Sequence, residues 1–508
     1  MEITVHCGDS YVLVEPVVPD ELIKLLSYWH RSLEIDPATH KRIAKGSTRN
    51  LFTLAQEIGL DGVLAQRLIT LPGFAKTILR ELAELGYSPT VVDERTPRPK
   101  YNMAAGMVGL RDYQLECAYV AIWSGGGIIA APCAWGKTRI ISAIIRAHDP
   151  EELCFRNTSL TVVVTPGVDL AKKNYRALQE QLPGRIVGLV CTGVKRFSED
   201  VQVVTPESLE HIDLKNAGLL FYDEVHTLSY SRAESVMRAT KALRYGFSAT
   251  PSGRFDGADK VIEGVVGPVI YRRTYQEAVV DGAVVPLRVY WLHCPEVAGW
   301  RHFGTHDANY RNGIWRNGNL HELVGKIWQR IPDELQALGM VDKLEHLNLL
   351  LPFLGGVAYA HGQTGQEYLT SKRFTNICAV SYDDRNRIYA ALADGSLKRV
   401  VSTGIYRQGV DFPQLTVLLN LAGMKSEIIA GQLPGRTSRL SDGKTYGIIV
   451  DFWHGWDTYA KGPRNLAGTL LRDDMNREQV YRSLGFQQVW VESLDQLEFG
   501  TLHQKFTE

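Results

Sequence analysis

A lysine and threonine closing a loop, two adjacent carboxylates and two arginines three residues apart are the groups in this sequence best suited to chemistry. The loop is 131-APCAWGKT-138, which follows the apolar run 127-GIIAAP-132 and precedes 139-RIISAIIRAH-148. Strand, loop and helix in that order let backbone N–H groups at a helix start cradle phosphate oxygens. Ala131, Pro132, Cys133, Ala134, Trp135 and Gly136 would wrap the phosphates. Lys137 would reach the β- and γ-phosphates and Thr138 would place its hydroxyl on Mg²⁺. Ala131 stands where such loops usually begin with glycine, and Ala134 and Trp135 fill positions that are often small.

The carboxylates are Asp223 and Glu224 of 223-DEVH-226, directly after the apolar run 218-GLLFY-222. At a strand end such a pair can divide its labour. Asp223 would hold Mg²⁺ and Glu224 would activate an attacking water, as phosphoryl transfer to water requires. Any Asp-Glu pair taken alone is more often a solvated strand end, but the phosphate loop upstream reverses that weighting. His226 is either a sensor between domains or an ordinary polar contact. Ser248 and Thr250 in 248-SATP-251 can hydrogen-bond to the carboxylates or to a facing domain, or simply cap a turn.

The arginines are Arg436 and Arg439 in 432-QLPGRTSR-439. At a spacing of three on a helix they share one side, where two guanidinium forks can meet the charge of a transferring phosphoryl group. Gln432 lies one turn earlier and could sense the γ-phosphate or the water. Upstream, Gly404 and Gly409 permit close backbone approach, Asp411 could hold a ribose or couple to Arg436, and Thr403 could meet a backbone phosphate.

These groups need rigid carriers. Short apolar runs alternating with helix-like runs from about residue 108 to 290, and again over about 335–460, predict parallel sheets covered by helices. The second series includes 376-NICAVS-381, 398-KRVVST-403, 415-LTVLLN-420 and 445-TYGIIVDF-452. The expected domains are a small α+β accessory domain at 1–95, α/β domains at 108–290 and 315–465, and a C-terminal cap at 466–508. In the first, a hairpin at 3–15 precedes a helix at 20–29, a strand at 47–54 and a helix at 74–86; residues 92–107 read as a linker. The aromatic segment 298–330, with Trp300, Phe303, Tyr310 and Trp315, either packs the second α/β domain or stacks bases, packing being favoured.

Composition narrows the classes. The 508 residues are 45% hydrophobic and 22% charged, an ordinary globular balance that excludes disordered and collagen-like chains. Lys plus Arg and Asp plus Glu both number 56, so a nucleic-acid partner would need local grips rather than an overall positive field. Seven cysteines without a CxxC pair give no zinc spacing and suit a reducing compartment. No apolar run reaches membrane-spanning length, and the start MEITVHCGDS lacks the pattern of a secretory leader.

Residues 108–455 resemble the superfamily 2 helicases and translocases, nucleic-acid-dependent ATPases with two tandem RecA-like parallel-sheet domains. The loop 131–138 resembles their motif I, 223–226 a DExH motif II, 248–250 motif III, 402-STGIYRQGVDFP-413 motif V and 432–439 motif VI. The stretch 111-RDYQ-114 is similar to the adenine-reading element. It implies Gln114 on the adenine edge, Arg111 in support and Tyr113 packed nearby. Thr165 and Pro166 in TPG, and Thr205 and Pro206 in TPES, resemble strand-end motifs that touch a nucleic-acid backbone; Thr403 and Gly404 would do so in the second domain. All three threonines sit where backbone N–H groups can be exposed. The run 246-GFSATPSGRFDG-257 is similar to the branch holding XPB-like repair helicases and phage branch-migration helicases.

The resemblance implies ATP and Mg²⁺ as cofactors and single-stranded, forked or branched DNA as partner, with 3′→5′ movement and roles in recombination, repair or replication. It further implies a monomer in the cytoplasm of a prokaryote or phage-infected cell. A duplex translocase that separates no strands, an RNA helicase and a nucleotide-gated clamp are the alternatives.

Overall fold

A computed structural model describes residues 2–35, 42–58, 64–97, 101–148, 160–229, 242–251, 259–406, 412–423, 437–461 and 464–500, together with 232, 236, 257 and 435. The chain divides into two units, Met1–Ala131 with Gly136–Arg273, and Pro132–Trp135 with Thr274–Glu508.

The first unit holds a sheet of eight described strands. Their order is Val194–Arg196, Val187–Cys191, Val201–Val204, Leu160–Val164, Ala217–Asp223, Leu243–Ser248, Gly127–Ala130 and Val269–Arg272. All neighbours are parallel except the edge strand Val194–Arg196. Every residue of Gly127–Ala130, Leu160–Val164 and Ala217–Asp223 is buried. Such continuous apolar runs are expected where helices cover both faces.

The amino-terminal residues are not an independent domain. Their sheet runs Phe52–Ile58, Leu64–Thr70, Val12–Glu15, Thr4–Cys7, Thr90–Asp93. Its core residues, among them Val5, Val14, Leu22 and Phe74, join Ile128, Val162 and Leu220 of the large sheet in one apolar cluster. The turn before helix Ala75–Glu84 lies flat on helix Asp259–Val266. A Cβ on Gly73 would come within 2.2 Å of the Glu263 carbonyl oxygen.

Three local expectations for this unit change. The helix expected over 20–29 stops at Leu25, and Ser27–Ile35 is a strand paired with Arg42–Asn50. Tyr28 is buried beside exposed Trp29, the alternation of a strand rather than the stripe of a helix. The single strand expected over 47–54 is broken at Leu51, whose N–H donates to Leu26 O, and its halves join different sheets. Within the expected linker, Thr90–Asp93 pairs with Thr4–Cys7, and Met103–Met107 is a short helix.

In the second unit seven described strands run in the order Ala358–Ala360, Arg399–Ser402, Gln336–Met340, Leu415–Asn420, Gly447–Trp453, Leu287–His293, Gln487–Val491, all parallel. Two expected boundaries move. Leu287–His293 registers against Gly447–Trp453 and not with the first sheet, so the first α/β domain ends before 290. Gln487–Val491 completes the second sheet and helix Thr469–Ser483 packs on it, so 466–508 is no separate cap.

The run 376–381 is not a strand. Its N–H groups go to side chains and a neighbouring loop: Asn376 N–H to Asn348, Cys378 N–H to the Tyr359 hydroxyl, Ala379 N–H to Gln366 and Val380 N–H to Gln363 O. The aromatic segment resolves toward packing. Trp315 and Tyr310 are buried in the core, and Trp300 donates from Nε1 to Asp457 at 2.9 Å. Among the described residues no helix is long and apolar enough to cross a membrane.

Candidate nucleotide site and strand-end grips

The site in the first unit assembles at the carboxyl ends of three adjacent strands, Leu160–Val164, Ala217–Asp223 and Leu243–Ser248, with Ala131, Gly136, Lys137 and Thr138 after Gly127–Ala130; Pro132–Trp135 of the loop belong to the second unit. Ala131 N–H donates to Ser248 O at 3.1 Å, which ties the loop to the neighbouring strand. Gly136 has φ +97°, and a Cβ there would come within 2.3 Å of Gln114 Nε2. Glycine is therefore favoured on conformational grounds, and a side chain there would also displace the Gln114 amide. Helix Lys137–Ala147 starts at the next residue.

Lys137 Nζ lies 3.3 Å from Glu224 Oε1. Glu224 itself sits in the left-handed region at φ 49°, an uncommon backbone for this residue type that turns it out of the strand. Its other oxygen is 3.4 Å from His226 Nδ1, which is 2.9 Å from Ser248 Oγ. Ser248 Oγ in turn accepts from Thr250 N–H at 3.0 Å. The sequence-predicted residues Lys137, Glu224, His226, Ser248 and Thr250 thus form one connected chain.

Asp223 is the buried member. Its Oδ1 accepts from Glu224 N–H at 3.0 Å and its Oδ2 from Asn174 Nδ2 at 2.9 Å. Burial raises the Asp223 pKa above the usual carboxylate range, and the neighbouring Glu224 charge adds to this; Lys137 and the Asn174 hydrogen bond oppose it. Asn174 also donates to Thr165 Oγ1 at 3.1 Å and accepts from Thr138 Oγ1 at 3.2 Å. One side-chain amide therefore joins Thr138, Asp223 and Thr165. The sequence reading missed Asn174. Its signal was a polar residue on the buried stripe of helix Val168–Gln181, three after Ala171 and four before Leu178.

The donor set suits Mg²⁺. Among the described residues no cluster of three or more His, Cys, Asp or Glu exists to cage a metal. Thr138 and Asp223, both oxygen donors spanned by one amide, fit an ion that takes few protein ligands and completes its shell with phosphate and water. The residues expected to read adenine lie next to Gly136. Arg111 Nη1 donates to the Tyr113 hydroxyl at 3.1 Å, and Gln114, buried against Gly136, accepts from Arg111 N–H at 3.2 Å.

The strand-end threonines correct one expectation. Thr165 N–H donates to Val204 O, Thr205 N–H to Val190 O and Thr403 N–H to Ala360 O, so none of the three amides is exposed. Parallel neighbours extend their ladders one residue past the strand end and take up these donors. Pro206 is buried as well, while Pro166 and Gly404 remain partly accessible. In the second unit Arg439 is half-buried, and Val285 N–H donates to Ser438 O beside it. Gly409, Asp411, Gln432 and Arg436 lie outside the described residues.

Residues 107–253 match the family described as "Type III restriction enzyme, res subunit". This stretch contains the phosphate loop, Asn174, Asp223, Glu224 and the Ser248 turn described above. The DNA 3′-5′ translocase XPB2 of Sulfurisphaera tokodaii is 26% identical over 368 residues, covering 66% of this chain and 80% of that protein. A candidate helicase of Sulfolobus islandicus filamentous virus is 26% identical over 381 residues, 69% of this chain and 65% of the viral protein. The chain thus spans just under two thirds of the viral relative. Among solved structures, the Type ISP restriction-modification enzyme LlaBIII bound to DNA matches with a TM-score of 0.51 at 14% identity, over 83% of this chain and 35% of that one. At that identity the match shows a shared fold of parallel α/β sheets and nothing beyond it.

Proposed function

We propose that this chain is an ATP-dependent DNA helicase or translocase of superfamily 2 that moves 3′→5′ and acts as a monomer on forked or branched DNA. The observation that carries the reading is the connected set Lys137, Thr138, Asn174, Asp223, Glu224 and His226 at the strand ends of the first unit. Before nucleotide arrives, Lys137 is paired with Glu224. Triphosphate entering the loop draws Lys137 onto its β- and γ-oxygens and frees Glu224 to face the attacking water. His226, held by Ser248, fixes the carboxylate in that orientation. Glu224 accepts the water's proton as the water oxygen bonds to the γ-phosphorus and the bond from that phosphorus to the β,γ-bridging oxygen breaks, which leaves ADP and phosphate. Thr138 and Asp223 would hold Mg²⁺, which would supply charge neutralisation at the phosphate oxygens. Arg436, Arg439 and Gln432 would bring further charge and sensing from the second domain, with Gly409 and Asp411 beside the nucleotide. Closing and opening on ATP then become a step along a strand.

The test is ATP hydrolysis measured with single-stranded DNA, duplex, fork, four-way junction and RNA. DNA should stimulate the rate, forked and branched forms most, and Glu224→Gln should lose at least about a hundredfold. Hydrolysis indifferent to every nucleic acid, or undiminished in Glu224→Gln, would overturn the reading. A second reading, translocation on duplex without strand separation, is favoured by the restriction-subunit family match and by the translocase name of the archaeal relative. Displacement of a triplex-forming strand without unwinding of a fork would select it.

A further inference from the structure

The first unit encloses a cavity of about 200 Å³ where the amino-terminal sheet meets the eight-stranded one. Its floor lies at the amino ends of three parallel strands. Gly126 precedes Gly127–Ala130, Arg244 opens Leu243–Ser248, and Pro268 precedes Val269–Arg272. Asp9, in the turn between Thr4–Cys7 and Val12–Glu15, and Thr96, beyond Thr90–Asp93, come from the amino-terminal layer. Arg244 and Ser248 stand four residues apart on one strand, which places the cavity about 13 Å from the nucleotide site. The volume falls below the common range for an organic ligand and suits a small ion with its water.

The lining is short of negative charge. Arg244 is 7% exposed and donates from Nη1 to Val265 O at 3.0 Å, so its guanidinium is fixed. Burial pulls its pKa down to about 10, although the Asp9 charge opposes this. The two lining carboxylates are engaged within the amino-terminal layer. Asp9 accepts from Thr96 N–H at 3.1 Å and from its hydroxyl, and Asp93 is held by Arg95 Nε at 2.7 Å. Lys76 brings a further cation to the rim, its Nζ 3.5 Å from Ser124 O. The turn Pro72–Phe74 and helix Ala75–Glu84 begin here, after Leu71 and Phe74, whose side chains have no acceptor to cap them. The partial positive charge of that helix start therefore falls on the cavity. Gly126, at φ +140°, keeps the wall thin, since a Cβ there would come within 2.9 Å of Arg244 O.

We propose that this cavity binds a free phosphate-sized oxyanion, held by the Arg244 fork, Lys76 and the start of helix Ala75–Glu84, and that the bound ion locks the amino-terminal sheet onto the α/β sheet. A fork, a point charge and backbone donors together are the usual set for a tetrahedral oxyanion. A backbone phosphate of nucleic acid could reach Arg244 only by drawing both flanking sugars into about 200 Å³. The proposal does not rest on the motor reading, because its groups lie outside the nucleotide site.

Calorimetric titration of potassium phosphate into the full chain, without Mg²⁺ and at constant ionic strength in chloride, tests it. Lys137→Ala is the background, so that the nucleotide loop does not contribute. One site should appear, and phosphate but not chloride should raise the melting temperature. Arg244→Lys, which keeps the charge and loses the fork, should weaken phosphate about tenfold. Lys76→Glu alters an exposed helix position, should melt like the background protein without phosphate, and should weaken phosphate at least about tenfold. A short DNA duplex should not displace the ion. Absence of phosphate binding, or binding undiminished in Lys76→Glu, would overturn the proposal whatever the stability of Arg244→Lys. Displacement of phosphate by the duplex would overturn it in favour of a nucleic-acid contact.

Discussion

The carboxyl ends of the two parallel sheets occupy the same topological position and are built in opposite ways. In the first unit the chemistry-bearing groups are withdrawn from water and joined into one hydrogen-bonded chain, with Asp223 and His226 buried and Lys137 nearly so. In the second unit the corresponding ledge is wide, and its arginines, Arg311 and Arg316 on Glu345, are half exposed. Withdrawal from water strengthens every charge interaction and shifts proton affinities, which a phosphoryl-transfer site needs. Exposure keeps each contact weak and exchangeable, which a moving grip needs. The second unit also buries charge, but away from the ledge. Arg477 meets Asp451 at 3.0 Å and Asp474 at 2.9 Å, with all three side chains at most 2% exposed. Tyr481 and Asn420 complete the shell of Asp451.

That contrast breaks most visibly at Arg477. Arg477→Ala takes from buried Asp451 the guanidinium that balances it and leaves Asp474 with His454 alone, and should cost the second unit about 3–5 kcal/mol, read as an early unfolding transition in calorimetry. Arg477→Met, which fills the space but also strands the acids, should cost nearly as much. A variant that melts with the parent would mean that water reaches the network and that it is not the sealed counterpart of the Asp223 site.

A sharper probe of the first ledge is Asn174→Ala. Burial and the Glu224 charge already hold the Asp223 pKa high, and the Asn174 amide favours its ionised form. Removing that donor should raise the pKa further. Hydrolysis needs Asp223 ionised, so activity is lost as pH falls through its pKa, and the acid limb of the kcat profile should move to higher pH. An unmoved limb, with kcat merely scaled down, would show that Asn174 positions Thr138 without tuning Asp223.

The two ledges also differed in how far the sequence disclosed them. The first was legible because its strands are unbroken apolar runs and its site residues sit at or just beyond their carboxyl ends, Asp223 closing one strand and Lys137 starting the helix after the loop that follows another. Asn174 was hidden because its partners lie 36 and 49 residues away, and nothing local marks a helix residue as facing an acid. In the second unit, Gln336–Met340 contains glutamine and glycine and reads poorly as a strand, although it is fully buried. The apolar run 376–381 reads well and is not one, because side chains of Asn348, Tyr359 and Gln366 take its amides. The assignment of Leu287–His293 depends on pairing with a strand 160 residues later, which local pattern does not encode. Arg311, Arg316 and Glu345 were equally silent, since their spacing matches no motif.

The smallest expected effect lies at Glu345 and decides whether the second ledge is as loosely held as its exposure implies. Glu345 bonds two half-exposed arginines, and pairs of that kind are worth about 1 kcal/mol or less. Glu345→Gln should lower stability toward urea by no more than that at neutral pH. The sign with pH follows from the depressed native pKa. The contribution is complete above the unfolded-state value and disappears as pH falls through the native one, so parent and variant curves should converge in acid. A neutral-pH loss several times larger would mean that Glu345 holds the 311–316 turn together as a structural keystone, and the likeness between this ledge and the sealed site of the first unit would then be closer than the exposure of its arginines suggests.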